Sequence, residues 1–102
     1  MTVVPDSLRL LAQTALLGEV PSSLRFFQVW LQDASLNVNA VFDATATPEH
    51  LECATAAVAE IVAGLPSTTT LLERVVVDSY ADWHTGPAGS LVYLRHGELS
   101  EG

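Results

Sequence analysis

The chain is 102 residues long and 49% apolar, which allows one hydrophobic core and excludes intrinsic disorder. Twelve acids stand against four bases, Arg9, Arg25, Arg74 and Arg95, and with no lysine the net charge is −8. Nucleic acid is thereby excluded as a partner, whereas a cationic protein surface would be met quickly in the acidic field.

Pro5-Asp6-Ser7 opens the first predicted element, where Asp6 can accept from the free amides of a first helical turn. Leu8, Leu11, Ala12, Ala15 and Leu16 follow at helical spacing, Leu10 and Leu17 widen the stripe, and Gly18 supplies the stop. The spacing predicts a helix over 7–17.

After Val20-Pro21-Ser22 the period changes to two. Residues 24–32 are aromatic and β-branched, with Phe27, Val29 and Leu31 opposed by Phe26, Gln28, Trp30 and Gln32. Either set can be the core face; if it is the first, Trp30 is a surface anchor. Asp33-Ala34 is a tight turn into a second alternating run over 36–43, so the two strands form a hairpin.

Thr47-Pro48-Glu49 reads as a helix start: Thr caps, Pro presets φ, and Glu49 and Glu52 suit the positive end of the dipole. Leu51, Ala54, Val58, Ile61 and Val62 form its stripe, and Gly64 with Leu65-Pro66 ends it. Residues 69–78 close on Val75-Val76-Val77, too hydrophobic for solvent on both faces, and predict a central strand. A long loop over 79–89 precedes a last strand over 90–96, and the tail 97–102 is expected to fray. The expected fold is α+β over a single domain, 1–102. It is a two-layer sandwich with a four-stranded, mainly antiparallel sheet and two helices on one face, in the order α-β-β-α-β-β.

Asp78, Asp82 and His84, joined by His96, are the nearest approach to a metal or acid–base cluster, and a small metal-dependent enzyme using the 78–84 loop is one reading. Their spacing matches no ligand pattern, so a solvated loop is the plainer reading, and no cofactor or metal is expected. Gly86-Pro87-Ala88-Gly89 contains proline and leads into a strand, unlike a phosphate loop. His50 and Cys53, without a base at a useful spacing, read as structural. Recognition fits the loop better: Tyr80 and Trp83 offer aromatic anchors among Asp78, Asp82 and His84, with Trp30 as a further candidate.

A single cysteine, the absence of a basic or hydrophobic leader, and no apolar run near membrane-spanning length predict a cytoplasmic, non-membrane protein.

Four stretches also carry a resemblance: Leu16-Leu17-Gly18-Glu19-Val20 with Leu24-Arg25, the pair Phe42-Asp43, Glu60-Ile61-Val62-Ala63-Gly64-Leu65-Pro66, and Val92-Tyr93-Leu94-Arg95. Together they resemble small bacterial α-β-β-α-β-β proteins, some of them immunity proteins of toxin systems that include contact-dependent inhibition. Ala44 stands where those proteins have a glycine. The resemblance implies a non-enzymatic inhibitor, and the charge implies a basic toxin domain as its partner, with Asp78, Tyr80, Asp82, Trp83 and His84 as contacts. A homodimeric structural or scaffolding protein is the alternative.

Overall fold

A computed structural model describes residues 2–3, 6–16, 20–87 and 90–95. Leu17, Gly18, His96 and the tail 97–102 lie outside them, as does the side chain of Asp6. Helix α1 (Asp6–Leu16) buries Leu8, Ala12, Ala15 and Leu16. Leu10, expected on the same stripe, is instead 65% exposed. It stands two residues from both Leu8 and Ala12, hence about 200° around the helix from each.

Strands β2 (Leu24–Gln32) and β3 (Ser35–Phe42) form the predicted hairpin, with Asp33 in the left-handed region at φ 57°. A two-residue strand that the sequence did not announce, β1 (Thr2–Val3), pairs with the far end of β2. Helix α2 (Pro48–Ala63) starts at the expected cap, Thr47. The Oγ1 of Thr47 accepts from the His50 N–H at 3.2 Å, and the His50 Nδ1 accepts from the Thr47 N–H at 3.3 Å. This is a capping box in which histidine fills the place usual for Glu or Gln. Gly64 follows the helix at φ −88°, so it is not needed for a left-handed turn; a Cβ there would stand 2.8 Å from Leu11 Cδ2 on α1.

The crossover through α2 lays β4 (Thr70–Val77) parallel to β3, from Ser35↔Thr70 to Phe42↔Val77 without a bulge. The last strand, β5 (Leu91–Leu94), pairs antiparallel with β2 instead. The sheet is therefore mixed, with three antiparallel pairings and one parallel. Both helices cover one face, over Phe27, Val29, Leu36, Val38, Ala40 and Phe42. Of the two ways the first hairpin strand could face, the one with Phe27, Val29 and Leu31 inward is realised.

The expectation of a central strand over 69–78 is overturned: β4 lies at the edge of the sheet. Its valines are apolar for a different reason. Val75 packs on the helix-side core and Val76 is half-buried, while Val77 is 50% exposed. The length of the following loop then has a cause. From Asp78 the chain must pass over the outer face of the sheet, from the β4 edge to the far side of β2, before β5 can pair with β2.

Candidate partner-binding surface

The crossing loop covers one half of the outer sheet face. Phe26 and Val41 point away from the helices, yet both are fully buried. A bulge at the start of β2 sets Arg25 between Leu24 and Phe26, and its Nη1 donates to the Asp78 carbonyl at 2.9 Å. Further along, the buried Gln28 donates from Nε2 to the Trp83 carbonyl at 2.9 Å and accepts at Oε1 from Asn39 Nδ2 at 2.9 Å. Arg74 Nη1 donates in turn to Asn39 Oδ1 at 3.3 Å. A polar relay thus runs across β4, β3 and β2 into the loop, and it satisfies a side-chain amide that would be costly to bury alone.

Within the loop, Tyr80 is 95% exposed, Asp82 and His84 are exposed, and Asp78 and Trp83 are half-buried. Each acid organises its own turn: Asp78 Oδ1 accepts from the Tyr80 N–H at 2.9 Å, and Asp82 Oδ1 from the His84 N–H at 2.9 Å. Asp82 caps the short 3-10 turn Trp83–Thr85, and its Oδ1 stands 2.6 Å from His84 Nδ1. These bonds, the backbone one foremost, hold the Asp82 carboxyl below its usual range. The Trp83 and His84 rings stack at 3.8 Å. Among the described residues no three His, Cys, Asp or Glu side chains converge as a metal would require, and no helix is long and apolar enough to cross a membrane.

The other half of the outer face is open. Trp30, half-buried, borders a groove of about 560 Å³ with Asn37, Asn39, Leu72 and Arg74. Trp30 and the loop therefore share a face, but the loop lies over the Phe26–Gln28 end and Trp30 over the other. Sequence reasoning missed the β4 side of this groove. Its signal was the alternation of Leu72 and Arg74 within 69–78, hidden once that run was read as a buried strand.

Two further residues meet where the strands end. The Asp43 N–H donates to the Ser23 carbonyl and the Arg95 N–H to the Arg25 carbonyl, which brings the Arg95 Nη1 to 2.5 Å from Asp43 Oδ2. Asp43 also accepts from the Thr45 hydroxyl and N–H, and these bonds, with Arg95, lower its pKa to about 2. The carboxylate thereby builds the turn through Ala44 without a left-handed residue there. Phe42-Asp43 and Leu94-Arg95, far apart in sequence, are thus one structural clasp.

No curated protein matches the chain closely enough to be counted as a relative. A family model described as MafI2 immunity protein matches residues 5–97, taking in α1, the clasp, the crossing loop and the last strand together. With that span covered, the chain belongs to the MafI2 immunity protein family.

Proposed function

We propose that this chain is a non-enzymatic inhibitor that binds a cationic toxin domain in the cytoplasm. Membership of the family carries the reading. The net charge of −8 supports a basic partner, because opposite fields steer encounter and disfavour wrong pairings. In this reading Asp78, Asp82 and the other exposed acids set the approach, while Tyr80, Trp83 and Trp30 supply aromatic contact area and His84 a polar one. Stacking of His84 on Trp83, and the bonds that fix Asp82, support a loop pre-ordered for contact, which lowers the entropy lost on binding.

The test is titration of the purified protein with the toxin domain encoded beside it, followed by calorimetry and by the toxin's own activity. A 1:1 complex that abolishes activity and weakens at least about tenfold between 50 and 500 mM salt is expected. Absence of a complex at low salt overturns the reading; a tight complex indifferent to salt overturns its electrostatic part.

A further inference from the structure

Four of the six large apolar side chains exposed among the described residues, Leu71, Leu72, Val77 and Tyr80, fall within or just after β4. The same strand is an open edge: among the described residues it pairs only with β3. The Thr70 N–H donates to the Ala34 carbonyl and the Asp78 N–H to the Phe42 carbonyl, so the even-numbered residues face β3. By the period of two, Leu71, Glu73, Val75 and Val77 aim their N–H and C=O groups outward.

Long edges of this kind are ordinarily blunted by proline, lysine or a bulge. β4 has none of these over its eight residues. Its charges are Glu73 and Arg74 at the centre, on opposite faces, and Arg74 is already engaged by Asn39. Pairing of two copies about a two-fold axis keeps each face continuous. The two fullest registers would then set Glu73 against Glu73 or Arg74 against Arg74, and like charges directly opposite are destabilising. Each copy also carries −8. The chemistry favours a cationic strand over a second copy.

We propose, resting on the inhibitor reading above, that the β4 edge receives an extended strand of the toxin domain, which adds to the sheet through the outward groups of Leu71, Glu73, Val75 and Val77. A basic side chain of that strand stands opposite Glu73 on the helix-side face. On the other face its apolar side chains lie against Leu72 and reach the groove beside Trp30.

Amide hydrogen exchange of the protein, free and saturated with the toxin domain encoded beside it, reads the edge directly. The amides of Leu71, Glu73, Val75 and Val77 should slow by about 100-fold or more in the complex. Glu73→Pro removes an outward donor and no bond to β3, and should weaken binding about 100-fold; Glu73→Gln, the charge control, should weaken it about tenfold or less. A complex that leaves these amides unchanged, or a folded Glu73→Pro variant of full affinity, overturns the proposal. If that variant does not fold, exchange in the natural protein decides alone. Slowing in the concentrated protein without toxin gives the edge to a second copy and overturns it too. Failure of the natural protein to form any complex instead sinks the inhibitor reading itself.

Discussion

The side-chain amide of Gln28 donates to the backbone carbonyl of Trp83 across 2.9 Å, joining the middle of β2 to a loop that began at the opposite edge of the sheet. Gln28 is only 1% exposed, and its carbonyl oxygen is occupied by Asn39. Replacement by leucine keeps the volume but leaves Asn39 and the Trp83 carbonyl without that partner. Gln28→Leu should cost about 1–3 kcal/mol in urea denaturation and should speed exchange of loop amides before those of α2.

Gly86 lies against the same amide. A Cβ there would stand 2.5 Å from Gln28 Nε2 and 2.8 Å from Ser90 Oγ, and its φ of −79° rules out backbone strain as the reason for glycine. Both neighbours are buried, so neither can swing away freely. Gly86→Ala is therefore expected to destabilise by about 1–3 kcal/mol. Gly64→Ala meets a leucine methyl that can rotate, and replaces glycine at an ordinary φ, so its cost should be the smaller of the two. Parallel melting curves of the two variants make the comparison.

His50 uses its Nδ1 as an acceptor toward the Thr47 N–H, with the buried Ser23 hydroxyl 2.8 Å away. Loss of the ring in His50→Ala should cost about 1 kcal/mol, whereas His50→Gln, the usual capping-box residue, should recover part of it. Equal stability of the two variants would show that the ring contributes by packing and not by capping.

The clasp between Asp43 and Arg95 makes a pH prediction. The folded pKa of Asp43 is lowered from 3.8 to about 2, so the native state binds this proton less readily than the unfolded chain does. Its stabilisation is complete above about pH 4 and is lost as pH falls from there through about 2. For a partly exposed pair the amount is about 1 kcal/mol. Asp43→Asn should lower stability at pH 7 and flatten the acid limb between those values; an unchanged acid limb would show that other carboxylates carry it.

Local chemistry made most of the elements legible. Thr47-Pro48 marked the start of α2, the alternation on either side of Asp33-Ala34 marked the hairpin, and the helical spacing of Leu8, Ala12 and Ala15 marked α1. Long-range pairing was not legible in the same way. The valines of β4 read alike whether the strand is central or lies at an edge with one end packed on the core. The placement of β5 depends on a loop tied down by Arg25 and Gln28, strand residues whose long-range contacts leave no local signature. Gly86-Pro87 marks a turn but not its course. Phe26 shows the same limit: it is buried on the face opposite Phe27, because a loop can cover what a helix does not. Trp30 was legible as a candidate anchor, but Leu72 and Arg74 beside it were not, since their roles exist only once β4 lies next to β3.

The two sides of the sheet are unequal. The far edge of β2 is met by fragments, β5 along Phe26 to Gln28 and β1 along Leu31 and Gln32, of four and two residues, while the other side ends in the straight run of β4. Fibre growth needs a usable edge at both ends, so that each copy can accept one neighbour and offer itself to the next. Among the described residues only the β4 side offers a long edge, so a contact made there uses that edge and leaves no equal one on the other side from which a sheet could continue.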